Sequence, residues 1–485
     1  MKTTEGIGMV YFRGMEPFLD TSGHQLNLLE VEPQTLWYQD PVSGWAIDEE
    51  ANKSILSYNL PVTFHGVGAP IGGTITPPLS FLKTLKKHQS LLNPMWFSEH
   101  MSFNYYKEGH RKINTSFLLP PLQNEETKRL AIRNIKRYQK YIDLPFSFET
   151  NVNYLQPQKY EIPDGKFAAM VAEQADCGIL LDMHNIWVNE KNGRQKVADF
   201  VSDLPHERVT EIHLAGGFYL DGYYLDAHSG PSSTHLNELA LKVIRQLPNL
   251  KAIIFEMLPD FAQKKTTKHL QKQFENMQRM WDERGRKLRI KPTVNSPKSS
   301  PEVQTAIKAA DYESALGKSV LQRKESTTAY QQISLDPGIP VMQKLVFSFR
   351  SGVIVSMFPY SCRYMRLKLG EEHFSNLLNQ YFMTTDPELI PGRLTFQFNR
   401  FIKSKVSIPL LHTILEFELK NLRSAVDGKA RKVKSRFDLQ KAIEHLDKYE
   451  LPDENSSAEL IPSELIAPSK EIAVELTEML NVYHA

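Results

Sequence analysis

The segment GILLDMH, residues 178–184, is a short apolar run that ends in an aspartate and a histidine. A run of this kind, rich in aliphatic residues and bounded by turns, is typical of a buried β-strand. Eight such runs lie in the first 260 residues, and Gly, Pro or polar residues bound each of them. They are GIGMVYF (6–12), LNLLEVE (26–32), PVTFHGV (61–67), PMWFSEH (94–100), LPFSFET (144–150), GILLDMH (178–184), VTEIHLA (209–215) and KAIIFEM (251–257).

Helical patterns separate several of these predicted strands. Apolar residues recur at roughly helical spacing in 127–142, 166–175 and 236–247. Near-continuous apolar strands that mostly alternate with helices predict an α/β fold, a closed parallel TIM-type (β/α)8 barrel. The competing architecture is an open doubly wound sheet, but no glycine-rich phosphate turn follows the first strand. The sequence therefore favours the barrel, whose active sites form where the strands end.

A metal-type ligand stands at or near the C-terminal end of six consecutive predicted strands, the third to the eighth. These residues are His65, His100, Glu149, Asp182, His213 and Glu256. Imidazole nitrogens and carboxylate oxygens without thiolate suit Fe, Mn or Zn and disfavour copper(I) and iron–sulfur sites. Six ligands exceed what one tetrahedral ion needs, so we expect two or three ions that share carboxylates. We expect Glu149→Ala or His213→Ala to abolish metal loading or turnover, and we count Asp182 and Glu256 with them as catalytic.

Further ligand-type residues lie close to this set. Asp226 and His228, in LDAHSGP after the seventh strand, are two residues apart and point to the same side of an extended segment. Asp182 and His184 have the same spacing, and Asn185 follows directly. In this hypothesis these residues complete a third metal site or orient the ligands of the other two.

Each of these residues alone has an ordinary structural interpretation. A lone buried histidine is more often a core residue, and a lone carboxylate at a strand end often caps a helix. Their joint occurrence argues against this, because unpaired charges at one barrel mouth would repel one another. Glu99 is predicted to point to the opposite face of its strand. Glu30 and Glu32, on the second strand, are weaker candidates, and we expect Glu30→Gln to have little effect.

The composition limits the class of protein. The chain has 485 residues, 41% of them hydrophobic and 24% charged, and a formal net charge of +2 at pH 7. These values predict a soluble protein of two or more domains without a broad nucleic-acid or membrane footprint. Cys177 and Cys362 form no disulfide framework and no zinc pattern, and neither a signal-peptide core nor a long apolar run is present. We therefore expect a cytoplasmic protein with no nucleic-acid partner and no membrane partner.

The sequence pattern changes after the eighth strand. Residues 1–290 contain the predicted barrel, whereas 291–339 are rich in Pro, Ser, Thr and charge around a possible helix. We interpret 291–339 as a linker with an embedded helix. In 340–485 the pattern is almost wholly helical, with prolines near the helix boundaries. The sequence thus predicts a smaller, mainly α-helical domain after the barrel.

The order and spacing of the strand-end motifs resemble one known family. The series HGVGAPIGG, SEHMSF, FETNVNYL, GILLDMHNIWVN, VTEIHLAGG, LDAHSGP and IIFEM is similar to the multinuclear non-heme iron-dependent oxidases, which include the catalytic subunit of methanobactin biosynthesis. The resemblance covers residues 7–285 and implies a TIM-type barrel whose mouth holds two or three irons. The iron ligands that it implies are His65, His100, Glu149, Asp182, His213 and Glu256, with Asp226 and His228 in addition.

Two positions depart from the pattern of that family. Thr150 follows Glu149 where asparagine is commoner, and His184 stands between Asp182 and Asn185. Both departures concern the third metal site and leave the two-metal core unchanged.

The C-terminal segment has a second, less specific resemblance. FPYSCRYMRLKLGEEHFSNLLNQYFMTTDPE, FNRFIKSK and ILEFELKNLR look like the helical partner proteins of these oxidases, which help to bind a precursor peptide. In this chain the partner domain would be fused in cis to the oxidase. The alternative is a helical domain that only stabilises the protein.

The resemblance implies an O2-dependent enzyme that modifies a ribosomally made precursor peptide, most often at a cysteine. A mixed-valent Fe(II)/Fe(III) centre would bind the thiolate, and O2 would serve as the co-substrate that oxidises the carbon beside the sulfur. The chief rival is a divalent-metal hydrolase or isomerase on a barrel similar to xylose isomerase and endonuclease IV. That rival predicts zinc, manganese or magnesium and no oxygen consumption. A third possibility, a peptide-binding scaffold with an inert barrel, does not account for six ligand-type residues.

Overall fold

The computed structural model describes residues 5–40, 44–258, 261, 267–285, 307–387, 391–427, 431–455 and 461–463. The chain divides into two compact units. The first comprises Met1–Lys112, Leu118–Gly317 and Glu325–Ile339, and the second comprises Ile113–Phe117, Lys318–Lys324 and Pro340–Ala485. Each unit is therefore built from more than one stretch of sequence.

Eight parallel strands form a closed barrel in the first unit. With all strands numbered in chain order, they are β1 (Gly6–Tyr11), β2 (Leu28–Val31), β5 (Val62–Gly66), β6 (Phe97–His100), β9 (Phe146–Glu149), β10 (Gly178–Asp182), β11 (Val209–Leu214) and β14 (Ala252–Phe255). Each pairs with the barrel strands before and after it in the chain, and β14 pairs with β1 to close the ring. The predicted TIM-type barrel is confirmed, and the open doubly wound sheet is excluded.

Short strands also lie between the barrel strands in the sequence. Two antiparallel hairpins pair β3 (Trp37–Asp40) with β4 (Gly44–Ile47) and β12 (Phe218–Leu220) with β13 (Tyr223–Leu225), and the strands β7 (Phe103–Glu108) and β8 (Arg111–Leu119) follow β6. The second hairpin leads directly into Asp226. Backbone pairing between β12 and β13 therefore holds the loop that carries this predicted ligand.

The barrel strands are apolar along their length because both of their faces are covered. Every residue of β2, β9 and β14 is buried. Parallel pairing keeps the C-terminal ends of neighbouring strands level, so that His100 is paired with Glu149 and Asp182 with His213. The ligand-type residues of these strands consequently meet at one mouth of the barrel.

Helices connect the barrel strands. They are α1 (Glu16–Ser22), α2 (Glu49–Ser57), α3 (Leu79–Leu92), α4 (Glu125–Tyr141), α5 (Asp164–Ala175), α6 (Met183–Lys191), α7 (Val197–Asp203) and α8 (Thr234–Ile244), followed by α9 (Thr267–Asp282), α10 (Ala309–Val320) and α11 (Thr328–Ile333). The helices predicted in 127–142, 166–175 and 236–247 correspond to α4, α5 and α8. Helix α4 begins before its predicted start because Asn124 caps it, with Oδ1 accepting a hydrogen bond from the Thr127 backbone N–H at 2.8 Å.

The second unit is mainly helical, as predicted. Its elements are α12 (Ile339–Met357), α13 (Pro359–Leu369), α14 (Glu371–Thr384), α15 (Pro391–Lys405), α16 (Pro409–Asp427) and α17 (Leu439–Asp447), with β15 (Val433–Ser435) and β16 (Ile461–Ser463) paired antiparallel. The unit has a hydrophobic core of its own, to which Phe358 and Ile414 belong. Glu418 fixes the start of α13, since its carboxylate accepts hydrogen bonds from the backbone N–H groups of Tyr360 at 2.7 Å and Ser361 at 3.1 Å.

In the part of the chain that the structure describes, no single helix is long and apolar enough to span a membrane. Helices α12 and α13 meet the length and composition criteria only as a pair, and the chain bends by 107° between them. Residues of both helices, such as Ile354 and Cys362, are buried in the core of the second unit.

The predicted linker, 291–339, begins outside the described residues. Its described part forms α10 and α11, and residues 307–317 and 325–339 group with the barrel unit. One attachment within that unit is a hydrogen bond of 2.6 Å from the Thr74 backbone N–H to the Glu313 carboxylate. The predicted domain boundaries stay a prediction.

Candidate metal centre

The six predicted strand-end ligands lie at the same mouth of the barrel. Each occupies the last or next-to-last position of its strand or the position directly after it; they are His65, His100, Glu149, Asp182, His213 and Glu256. All are buried except His100, which is partly exposed. The structure thus brings together a set that is dispersed over almost two hundred residues of sequence.

The first compact group of ligand atoms comes from His65, His100 and Glu149. Glu149 Oε2 lies 3.1 Å from His65 Nε2 and 2.6 Å from His100 Nδ1. Ser98 fixes the His65 ring, since its Oγ lies 2.8 Å from His65 Nδ1. Asn185 Nδ2 donates a hydrogen bond of 3.0 Å to the other carboxylate oxygen, Glu149 Oε1. These contacts leave His65 Nε2 and Glu149 Oε2 available to a common ion.

Glu149 also belongs to a second group, with Asp182, His213 and Glu256, in which one ligand atom from each residue lies within 4.8 Å of the others. Asp182 Oδ1 accepts a hydrogen bond of 2.8 Å from the Asn185 backbone N–H and caps α6, whereas its Oδ2 has no hydrogen-bond partner. His213 Nδ1 lies 3.0 Å from Glu256 Oε1. Because Glu149 is common to both groups, its carboxylate is placed to bridge two ions.

The loop after β11 brings Asp226 and His228 to the same mouth. His228 Nε2 lies 3.1 Å from Glu256 Oε2 and 3.2 Å from Asp226 Oδ1. The φ angle of His228 is 44°, in the left-handed region that costs energy for a residue with a side chain. Among the described residues, neither Asp226 nor His228 belongs to a compact group of three ligand atoms. The ligand atoms of the predicted third site are therefore less compactly grouped than those of the first two.

His184, which the sequence offers for a third site or for orienting the other ligands, is a further candidate ligand. It is fully buried near the start of α6, and its Nε2 lies 3.5 Å from Asp226 Oδ1 without a hydrogen-bond partner. Burial, helped by the charge of His228, lowers the pKa of His184 to about 3, so its ring stays neutral and keeps a lone pair for a metal. The only sequence signal for this residue is its spacing of two from Asp182.

Two more buried carboxylates adjoin His213. Glu30 Oε1 lies 3.0 Å from His213 Nε2, and Glu30, Glu211 and His213 form a third compact group. Trp96 Nε1 donates a hydrogen bond of 2.9 Å to Glu211 Oε2, and burial beside Glu30 raises the pKa of Glu211 to about 8. The expectation that Glu30→Gln has little effect disagrees with this geometry, because Glu30 contacts the ring nitrogen of His213 that faces away from Glu256.

The other two carboxylates considered in the sequence lie outside these groups. Glu99 points away from them, as predicted: its oxygens accept hydrogen bonds of 3.0 Å from the Tyr138 hydroxyl and from the His100 backbone N–H. Burial raises the pKa of Glu99, which suits a packed acid. Glu32 is partly buried and belongs to none of the three compact groups.

The pKa values of two carboxylates at the mouth shift in opposite directions. Burial alone would raise the pKa of Glu149, but the charges and hydrogen bonds of His100 and His65 outweigh burial and lower it below its usual range. Burial raises the pKa of Asp182, and the charges of Glu149 and Glu256 raise it further. The repulsion from Glu149 and Glu256 that adds to burial at Asp182 would be relieved by bound cations.

Two buried ligand atoms at the mouth, Asp182 Oδ2 and His184 Nε2, have no hydrogen-bond partner. Glu149 Oε2, His213 Nδ1, Asp226 Oδ1 and His228 Nε2 are also buried, and their neighbours at 2.6–3.2 Å are other ligand-type atoms of the mouth. A buried polar atom without a partner costs about 1–3 kcal/mol, which a metal ion shared by these atoms would offset. Nitrogen and carboxylate donors without thiolate fit iron, manganese or zinc. The residues present therefore fit a centre of several metal ions.

Residues 14–280 match the family described as the RiPP precursor modification enzyme MbnB/TglH/ChrH, where RiPP denotes a ribosomally synthesised and post-translationally modified peptide. A UPF0276 protein of Anaeromyxobacter sp. (strain Fw109-5) is 30% identical over 236 residues, which are 48% of this chain and 81% of that protein. A UPF0276 protein of Caulobacter vibrioides is 29% identical over 171 residues, 35% of this chain and 60% of that protein. Among solved structures, D-psicose 3-epimerase from Clostridium cellulolyticum H10 has a TM-score of 0.38 and 9% identity, and the match covers 57% of this chain and 97% of that one.

The family match covers more than half of the chain. It includes all six strand-end residues and the loop that carries Asp226 and His228, and it ends before the helices of the second unit, which begin at α12. The fold assignment rests on the strand pairing of the closed barrel itself. The resemblance to the multinuclear non-heme iron-dependent oxidases is confirmed, and the chain belongs to the MbnB/TglH/ChrH family of RiPP precursor modification enzymes.

Proposed function

We propose that the protein is an O2-dependent multinuclear non-heme iron oxidase that modifies a ribosomally made precursor peptide, with cysteine as the favoured target. Membership of a RiPP precursor modification family supports the class of substrate. The observation that carries the multinuclear part is the position of Glu149, whose carboxylate is common to two buried groups of ligand atoms. The choice of iron over another metal follows from the family resemblance.

In this proposal the first two compact groups hold two irons, and Asp226, His228 and His184 contribute to a third. Mixed-valent Fe(II)/Fe(III) iron, with O2 as co-substrate, would supply the oxidising capacity and the Lewis acidity that a thiolate substrate requires. The protein contributes ligand geometry: Ser98 orients His65, and Asn185 orients both Glu149 and Asp182. The proposed catalytic residues are the four ligands of the second group: Glu149, Asp182, His213 and Glu256.

The uneven exposure of the ligands supports one direction of approach for the substrate. The side chains of His228 and His100 remain 24% and 15% exposed, whereas that of His213 is completely buried. A peptide side chain would therefore reach the centre from the side of His228 and His100. The buried residues around His213 would keep bulk water away from the other side of the centre.

We further propose that residues 340–485 act as a helical partner domain, fused in cis to the barrel of 1–290, and help to bind the precursor peptide. The second unit has a separate hydrophobic core, as a domain has, and this supports a separate function for it. A cytoplasmic location belongs to the same proposal. Cys177 and Cys362, which are both free and buried, are compatible with a reducing compartment.

Protein expressed in iron-supplemented cells is expected to contain two or three irons per chain. Mössbauer spectroscopy is expected to detect an antiferromagnetically coupled Fe(II)/Fe(III) component, and the protein is expected to consume O2 in the presence of its peptide. Zinc or manganese that stays bound despite iron supplementation, without O2 uptake, would contradict the proposal. That result would favour a divalent-metal hydrolase or isomerase, because the same nitrogen and oxygen ligands serve such enzymes.

Glu30→Gln is expected to weaken metal binding at the group that contains His213. The Glu30 carboxylate lies 3.0 Å from His213 Nε2, so it stabilises a proton there and leaves Nδ1 for the metal. Loss of such a carboxylate typically lowers metal affinity by about 10- to 100-fold. Titration of the metal-free protein with Fe(II) or Co(II) against a chelator measures this change. Glu99→Gln, which alters a buried carboxylate outside the groups, is the control, and equal affinities for Glu30→Gln and wild type would refute the argument.

A further inference from the structure

Arg350, in α12, is a buried cation without an acidic partner among the described residues. Only 8% of it is exposed. Its contacts are a long hydrogen bond of 3.4 Å from Nη1 to the Phe382 carbonyl and stacking of the guanidinium over the Phe382 ring at 4.1 Å. Another largely buried arginine of the same unit, Arg366, forms an ion pair of 2.6 Å with Glu371.

The position of Arg350 carries an energetic cost. Burial, together with the charge of Arg323, lowers the pKa of Arg350 to about 9, so the guanidinium remains charged at neutral pH. A buried charge without a counter-ion destabilises a fold, and a well-packed apolar side chain of similar volume is often neutral or better. The buried guanidinium of Arg350 lies beside a depression in the surface. This arrangement indicates a binding site for an anion.

A narrow depression of the second unit lies at this residue, and a wider one shares two of its lining residues. The narrow one is lined by Arg350 and Phe382 and has about 20 Å³ of open space, room for one water-sized group such as a carboxylate oxygen. The wide one has about 380 Å³. Its lining includes Asn376, Asn379, Gln380, Met383, Phe401 and Lys405. Asn379 and Met383 line both depressions, and the two depressions together are termed the groove.

We propose that this groove binds an acidic segment of an extended peptide, with one carboxylate of the peptide paired to Arg350. The proposal rests on the proposed function only for the class of occupant, a peptide. Asn376, Asn379 and Gln380 share one face of α14, and their side-chain amides both donate and accept hydrogen bonds, as a peptide backbone requires. Lys405 adds an exposed positive charge at the wide depression.

The charges and the two volumes identify this ligand chemistry. The narrow depression admits the tip of a carboxylate but not a whole side chain, whereas the wide depression has room for neighbouring residues of the segment. Met383 and Phe401 offer apolar contacts there. A cationic or uncharged segment would leave the buried charge of Arg350 unpaired, so the groove discriminates by charge.

The first test is a selection from a displayed library of random peptides against the full-length protein and its Arg350→Met variant. Peptides enriched on the wild type are expected to carry Asp or Glu within a short apolar context, and the variant is expected to lose that enrichment. Lys403→Met, which removes an exposed lysine of α15 outside the groove, is the matched control and should select the same peptides as the wild type. Absence of acidic enrichment on the wild type would overturn the proposal.

A double-mutant cycle then assigns the contact. For one selected peptide, binding is measured by fluorescence anisotropy with its acidic residue intact or replaced by the amide. Arg350→Met and the peptide amide are each expected to weaken binding by roughly 30-fold, the lower end for truncating one partner of a desolvated charge pair. Combining the two changes should cost little more than either alone. Fully additive losses would overturn the pairing of that carboxylate with Arg350.

Thermal unfolding separates a binding arginine from a structural one. Arg350→Met is expected to leave the Tm unchanged or to raise it, because it removes an uncompensated buried charge. A clear fall in Tm would make Arg350 a structural residue and overturn the proposal. Metal content, measured on the same samples, should equal that of the wild type. If the wild type itself contains no iron, the proposed oxidase function fails while the result on peptide binding stands.

Discussion

Glu149→Gln is expected to remove both core metal ions at once. Glu149 is shared by the group of His65 and His100 and by the group of Asp182, His213 and Glu256, so its loss takes a ligand from each site. The substitution keeps the size of the side chain but replaces an anionic oxygen with an amide, whose nitrogen is no ligand and whose oxygen carries no charge. We expect iron per chain to fall to background and O2 uptake in the presence of peptide to be lost.

The matched control for this substitution is Glu99→Gln. Both glutamates are buried near a strand end, but Glu99 bonds to Tyr138 and the His100 backbone instead of the ligand atoms. Because the Glu99 carboxylate bonds outside the three compact groups of ligand atoms, iron content should match the wild type. If Glu149→Gln loses one ion and keeps the other at full occupancy, the two groups do not share this carboxylate.

The predicted site was accessible from sequence because a parallel barrel aligns its strand ends. A strand of four or five residues fixes the position of its last residue to within about one place, whatever the details of its helices. Asp182 and His213 therefore emerge as neighbours from a pattern of apolar runs alone, and the register confirms that they are paired. Proximity at the mouth requires no knowledge of long-range contacts beyond closure of the barrel.

The contacts of Glu30 and His184 do not follow from the pattern of strands. Glu30 lies at the next-to-last position of β2, as His65 does in β5, but it contacts His213, which comes from a strand that does not pair with β2. That contact depends on how side chains interleave within the barrel, which the apolar pattern does not encode. His184 lies in the first turn of α6, so its direction follows from the helix that Asp182 caps and not from strand alternation.

The second unit illustrates a different limit. Its helices follow from the spacing of apolar residues in 340–485. The unit also includes Ile113–Phe117 and Lys318–Lys324, which no local sequence pattern assigns to it. Arg350 stands within the largely apolar segment LVFSFRSGVIV, whose pattern predicts a helix but not the burial of this charge. Only the structure reveals that it is buried beside a groove without a carboxylate partner among the described residues.

His213→Ala is expected to have two separable effects. It removes the nitrogen ligand of the second group, so the ion held by Asp182 and Glu256 should be lost while the group of His65 retains a weakened ion. It also leaves Glu30, which is fully buried, without the histidine that lies 3.0 Å from it. Breaking a buried charge pair in this way typically costs about 3–5 kcal/mol, so the metal-free variant should unfold at a lower urea concentration.

The second effect should be repaired by Glu30→Gln, and the first should not. In the double variant no buried charge is left without its partner, so part of the lost free energy of unfolding should return, whereas the metal ligand remains absent. Urea denaturation of the metal-free proteins measures the recovery, and metal analysis measures the loss. Glu30→Gln alone lowers or raises the free energy of unfolding by some amount. If it changes the free energy of unfolding of His213→Ala by that same amount, Glu30 and His213 act independently. Recovery of stability without recovery of metal would establish that His213 has two roles, as a metal ligand and as the partner of the buried Glu30 carboxylate.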